Sequence, residues 1–215
     1  MRQHVEQQLV EKWLRGWSLS RRLPLPVPYK SGFKVTVGYA DQQERYVFPA
    51  FNADVRALAT DISDPHIFLK ICNAPTDLGT LLPARWTIQP QAYMMSCEGK
   101  QQAACIQLPE GYTWETEVYP GTHKLDIICR NTLEVAASGR VVQVEDMAIF
   151  DRISTTAGHR RKGLATQLML ALQQIALEQG IRRHILVATA EGRLLYESMD
   201  WRVYCPYTSA VIPGS

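Results

Sequence analysis

Residues 153–172 read ISTTAGHRRKGLATQLMLAL. The stretch closes a β-rich run, EDMAIFDRIST (145–155), crosses a loop holding His159, Arg160, Arg161 and Lys162, and then repeats apolar residues at Leu164, Leu168, Leu172 and Ile175. That last spacing predicts a helix, and Gly180 supplies its stop. The first amides of a helix have no backbone partners and lie at the positive end of the dipole. Gly163 keeps a Cβ out of the way and three cations precede it, so the expected ligand is an anion such as a phosphate or pyrophosphate. Gly158 and Gly163 have the spacing of a P-loop. Leu164 and Ala165, however, stand where Lys and Ser or Thr would hold phosphate and magnesium, which argues against nucleotide hydrolysis. No G-x-G-x-x-G follows a strand, so dinucleotide binding has no support.

Working outward, HILVAT (184–189) reads as a compact buried strand, EGRLLYESM (191–199) as a short helix, and WRVYCPYTSAVI (201–212) as a bent strand or strand pair. Upstream, YTWETEVY, KLDIICR and EVAASGRVVQV are strands by β-propensity and alternation. The chain opens with an amphipathic helix carrying Val5, Leu9 and Trp13 on one face, which the prolines of RRLPLPVPYKSG cannot continue. FKVTVGY, ERYVFPAF and HIFLKIC follow as strands, with a helix in NADVRALATDI capped by Asn52. These signals place an N-terminal α/β half at 1–97, a connection at 98–107 and a second domain at 108–215. HIFLKIC and HILVAT each precede a short helix, a tryptophan and a proline, a weak internal likeness consistent with a degenerate copy of one fold.

Composition excludes several classes. With 215 residues, 46% of them hydrophobic, and a net charge of +2, the chain can bury a sizeable core and has no global attraction for nucleic acid. No apolar run reaches the roughly 18 residues that span a bilayer, and the charged N-terminal segment is unlike a secretory signal, so the expectation is a cytoplasmic protein with no membrane partner. Five widely spaced cysteines without a C-x-x-C pair point away from both a disulfide framework and a metal site. Cys129 and Cys205 lie in apolar strand patterns and read as small buried hydrophobes.

The run Arg160-Arg161-Lys162-Gly163-Leu164-Ala165 matches the R/Q-x-x-G-x-G/A loop of the GNAT superfamily of acyl-CoA-dependent N-acyltransferases, and its surroundings extend the match. The loop follows a strand, opens a helix, and is succeeded by HILVAT and then LLYESMDW, where that family has a strand and a short helix with a tyrosine. The resemblance covers about 108–215 and implies an α/β (α+β) fold: a mixed, mostly antiparallel twisted sheet flanked by helices. It departs from the family between TWETEVY and KLDIICR, where two helices normally cover the acceptor side; the N-terminal half is the expected substitute.

The resemblance further implies an enzyme that moves an acetyl group from acetyl-CoA to a primary amine of a small molecule or peptide, with no metal. Residues Arg161 to Ala165, with His159, Arg160 and Thr166 beside them, would hold the pyrophosphate. Backbone amides of Ile153, Ser154 and Thr155 would polarise the thioester carbonyl, and Tyr196 would protonate the departing thiolate. The family's glutamate base falls on Met147, which leaves Asp151 as first and Glu145 as second candidate for handling the amine's proton. Strand alternation puts Met147, Ile149, Asp151 and Ile153 on one face. Asp151 has an equal claim as a structural ion pair with a nearby cation. His159 reads as a loop residue near the phosphates. The alternative function is a non-catalytic acyl-CoA-binding regulatory module. Oligomeric state is open, a homodimer included.

Overall fold

A computed structural model describes residues 5–99 and 106–214. Most of the expected connection, and Cys105 with it, lies outside the described residues. In chain order the elements are α1 (Gln7–Ser20), β1 (Val27–Tyr29), β2 (Gly32–Tyr39), β3 (Gln42–Phe48), α2 (Ala53–Asp61), β4 (Ile67–Cys72), α3 (Leu78–Leu81), β5 (Thr87–Ile88) and β6 (Ala92–Glu98). There follow β7 (Tyr112–Tyr119), β8 (Thr122–Cys129), β9 (Val135–Val144), β10 (Met147–Thr155), α4 (Leu164–Glu178), β11 (Arg183–Thr189), α5 (Ala190–Glu197) and β12 (Arg202–Val211). The chain forms two compact units, one of residues 1–96 with 187–215 and the other of residues 97–186.

In the first unit the strands run in the order β1-β2-β3-β4-β12-β6, with β5 also on β12. Every neighbouring pair is antiparallel except β3 and β4, which are joined by α2. Pro28 sits in the short edge strand β1, where its missing amide costs no ladder bond. Helix α2 starts where Asn52 caps it, accepting from the Val55 amide at 3.2 Å. Its Val55 and Leu58 pack with Phe48, Leu69, Ile71 and Ala210 into one buried cluster. Each such side chain contributes about 1.5–3 kcal/mol of burial, so the face of HIFLKIC carrying Leu69 and Ile71 anchors the sheet. Arg85 closes the far end of α2 by donating from Nε to the Ile62 carbonyl at 2.8 Å, and Trp86 Nε1 donates to the Ala59 carbonyl at 2.9 Å.

The second unit is a meander, β7-β8-β9-β10, antiparallel throughout, with β11 added parallel to β10. A helix, α4, makes that parallel crossover, as α2 does between β3 and β4, so the two units share a connection pattern. Leu164, Leu168, Leu172 and Ala176 form the buried stripe of α4; Ile175, assigned to that stripe from the sequence, is only half-buried. Gly139 on β9 is the close-approach point. A Cβ there would lie 2.6 Å from Ile153 Cδ1 and 2.9 Å from Leu172 Cδ1, so helix and sheet meet over a bare backbone. The fold is thus mixed α/β, with mostly antiparallel strands flanked by helices. The terminal stretch is a single strand, β12, with an irregularity between Val203 and Cys205.

Candidate functional site

One edge of the second unit gathers the start of β7, the end of β8, the start of β9 and the end of β10, because Tyr112 pairs with Cys129, Ile128 with Val135, and Thr155 with Ala137. The predicted anion loop leaves β10 at this edge. Thr156 ties the departure down, its amide donating to the Ala136 carbonyl at 2.9 Å and its hydroxyl to the Val135 carbonyl at 2.7 Å. A single 3-10 turn, Ala157–His159, and the basic run then lead into α4.

Strand β10 does not alternate regularly. Asp151 faces Arg140 and Ser154 faces Ser138, so the strand carries one residue more than its partner between these pairs: a β-bulge, with Arg152 at φ +54°. Arg140 and Ser138 share a face of β9, and therefore Asp151 and Ser154 share a face of β10. Ile153, expected on that same face, turns to the other side, against Gly139, Leu168 and Leu172. A slipped register reverses every side chain beyond it, and this is the physical reason simple alternation fails here. The bulge also interrupts the ladder at Arg152 and Ile153, within the segment expected to polarise a carbonyl.

Gly163 is the N-cap of α4, at φ +76°, and provides no side-chain cap. The first helical bond is donated by the Gln167 amide to the Gly163 carbonyl at 3.1 Å, which leaves the amides of Leu164, Ala165 and Thr166 ahead of it. A Cβ built on Gly163 would meet no atom within 4 Å, so the helix start opens onto free space. Arg161 also takes a left-handed conformation, φ +62°, at a cost of about 1–2 kcal/mol. Arg160, Arg161 and Lys162 are all exposed, with Arg160 Nε donating to the Thr155 carbonyl at 3.4 Å.

The corresponding crossover helix of the first unit begins differently. The start of α2 is already filled by the Asn52 side chain, and Asp54 stands in its first turn. Asp54 in turn accepts from the Ser31 amide at 3.1 Å. An occupied cap and a carboxylate repel the anion that a bare glycine and three cations attract.

His159, expected as a loop residue beside the phosphates, is buried in a chain of contacts that the sequence does not announce. Lys162 Nζ donates to Tyr112 Oη at 3.1 Å, and the same oxygen lies 2.9 Å from His159 Nδ1. An ammonium can only donate, so the Tyr112 oxygen accepts from Lys162, and its proton and second lone pair both remain for Nδ1. Nε2 of the same ring faces Glu134 at 3.7 Å. Tyr112 and Glu134 are 50 and 28 residues from Lys162 in the chain, and only the strand pairing brings them to the loop. Tyr112 also lines a pocket of about 360 Å³, with the rest of residues 106–114 and Arg130.

The remaining candidates occupy separate places. Asp151 is half-buried on β10, across from Arg140. Glu145 is at the tip of the two-residue hairpin between β9 and β10, at φ +52°, whereas the loop leaves the opposite end of β10. Its neighbour Asp146 accepts from Arg183 at 2.6 Å. Tyr196 belongs to the first unit, buried in α5 with its ring 6.0 Å from that of Trp201. Cys205 is buried as expected, but Cys129 is partly exposed. Among the described residues no cluster of His, Cys, Asp or Glu is arranged to hold a metal, and no helix is long and apolar enough to cross a membrane.

Residues 98–200 match the family model described as Acetyltransferase (GNAT) family. The match spans just under half of the chain. No curated protein matches the chain. Among solved structures, a GCN5-related N-acetyltransferase from Kribbella flavida superposes with a TM-score of 0.68 at 14% identity, covering 97% of this chain and 96% of that one. A GCN5-related N-acetyltransferase from Sphaerobacter thermophilus gives 0.58 at 12% identity, covering 86% and 78%. A tandem GNAT protein from the clavulanic acid biosynthesis pathway gives 0.56 at 12% identity, covering 74% and 68%. At these identities the likeness to the solved structures is one of fold; the family match supports acyl transfer in general.

Proposed function

We propose that the protein is an acetyl-CoA-dependent N-acetyltransferase acting on a primary amine of a small molecule or peptide. The observation that carries this reading is the start of α4: an uncapped glycine N-terminus, open above, flanked by three cations and emerging beside a bulged strand. In this reading the amides of Leu164, Ala165 and Thr166 bind the pyrophosphate, and Arg160, Arg161 and Lys162 add charge. His159 braces Lys162 through Tyr112. The interrupted ladder at Ile153, with Ser154 and Thr155, turns backbone donors toward the thioester oxygen, where charge develops during attack. Asp151 orients the amine and takes its proton, directly or through water; Tyr196, by its place in the family pattern, returns a proton to the leaving thiolate. Glu145 is the weaker candidate because it lies at the remote end of β10.

One observation favours a second reading, a non-catalytic acyl-CoA-binding module. Met147, at the position of the family's glutamate, is buried and cannot serve as a base. Calorimetric titration with coenzyme A, followed by acetyl-CoA with an amine panel and detection of free thiol, separates the two. Amine-dependent thiol release supports the enzyme, binding without release supports the module, and absence of binding refutes both.

A further inference from the structure

Away from the anion loop, the second unit brings together a thiol, an imidazole and a carboxamide. Cys97, at the end of β6, is partly exposed; its Sγ lies 3.7 Å from Nδ1 of His184 on β11, and Nε2 of Gln173 on α4 lies 3.6 Å from the same sulfur. Sulfur is larger than oxygen, and both separations are hydrogen-bond lengths for it. His184 is buried, with Nε2 3.1 Å from the Ile181 carbonyl oxygen. A carbonyl only accepts, so Nε2 carries the ring proton and Nδ1 presents its lone pair to the thiol. Burial, the largest influence, lowers the pKa of this ring and keeps it neutral, with that lone pair available.

The ring is fixed from two more sides. Phe150 packs against it at 5.2 Å between centroids. Gly99, two residues beyond Cys97, lies so close that a Cβ would come 2.4 Å from His184 Cε1, and the Gly99 amide donates to the Arg182 carbonyl at 2.6 Å. A nucleophile within reach of a base, and a base oriented by a third group, is the arrangement that activates a weak nucleophile. The other described cysteines lack it. Cys72 and Cys205 are buried, and the donors at Cys129 are the Thr132 hydroxyl with the Thr132 and Asn131 amides, which ease ionisation of that thiol but can take no proton from it.

We propose that Cys97 is a nucleophilic thiol with His184 as its general base, and that it undergoes exchange with small disulfides. His184 Nδ1 takes the proton as Cys97 Sγ attacks one sulfur of the disulfide, and the Gln173 amide stabilises the developing charge on Sγ. The Cys97–sulfur bond forms as the disulfide bond breaks. Cys97 is oxidised to the mixed disulfide, the departing sulfur is reduced to a thiolate, and that thiolate receives the proton held by His184. Such exchange needs only the two groups already placed at the sulfur. It is independent of acyl transfer and of the loop at Gly163.

The test uses the full chain under native conditions with glutathione disulfide as the probe, and the modified residue is located by peptide mass mapping. A mixed disulfide on Cys97 is expected in the wild-type chain and in Cys129→Ser, and none at position 97 in Cys97→Ser. Replacing the base in His184→Asn lowers the initial rate at Cys97 about a hundredfold. If circular dichroism shows that this variant does not fold, Gln173→Leu serves in its place, with an expected loss of about fivefold, the worth of one hydrogen bond. No adduct at Cys97 in the native chain, an adduct at Cys129 alone, or a rate unchanged by the folded variant overturns the proposal.

Discussion

Replacing Tyr112 by phenylalanine removes one oxygen and little else. The ring survives, with its edge contact to His159 at 5.6 Å between centroids and its contact with the Lys162 ammonium at 5.8 Å. What disappears is the junction of two hydrogen bonds. His159, only 9% exposed, is left with a ring nitrogen deprived of its hydrogen-bond partner. An unsatisfied buried polar group costs about 1–3 kcal/mol, so Tyr112→Phe is expected to lower unfolding free energy in urea by that amount. Lys162 loses the acceptor that positions it, and affinity for coenzyme A falls by the worth of one further bond, about 0.5–1.5 kcal/mol. A double-mutant cycle with His159→Gln isolates the contact, with an expected coupling of about 0.5–3 kcal/mol. A stability loss below about 0.5 kcal/mol together with zero coupling would refute the relay.

Gly163→Val is expected to cost about 1–2 kcal/mol of stability, because a branched residue must take a left-handed backbone. Its larger effect is on the ligand: since no protein atom crowds the new side chain, the bulk occupies the anion's space, and calorimetry should show coenzyme A binding reduced by an order of magnitude or more. Asp151→Asn should cut turnover at least tenfold with donor affinity intact; wild-type turnover would return Asp151 to a structural role opposite Arg140. Tyr196→Phe should likewise lower turnover more than donor affinity, and an unchanged rate removes the residue from the chemistry. Lys70, whose Nζ donates to Ser209 Oγ at 2.7 Å, is held below its ordinary pKa by burial first and then by Arg45 and Arg21. Between the lowered folded value and the ordinary 10.5 the unfolded chain binds more protons, so stability rises with pH across that window. Lys70→Met should flatten the rise, as read from urea midpoints at stepped pH.

Local chemistry made much of this molecule readable in advance. The basic loop, the Gly163 cap and the stop of α4 at Gly180 each express themselves within a few residues, and so does the Asn52 cap of α2. The bulge at Arg152 does not, because its signature is a count of residues against a partner strand rather than a pattern within β10. The relay was hidden for a related reason. Tyr112, Glu134 and Lys162 become neighbours only when β7, β9 and β10 present their ends at one edge. Lys70 did leave a trace, a lysine inside the apolar run HIFLKIC, but a period-two reading assigns such a residue to solvent, and here both faces of β4 are buried.

The place of β12 sets an order of assembly. Residues 97–186 are continuous, and every strand pairing within that unit is complete once β11 has been made. The other unit must wait, since β12 is an inner strand with β4 on one side and β6 on the other. Until residues 202–211 leave the ribosome, β4 exposes a row of backbone groups that belongs to a segment not yet synthesised. During translation, therefore, the unit that begins first finishes last, and the unit bearing the anion loop is free to fold before it.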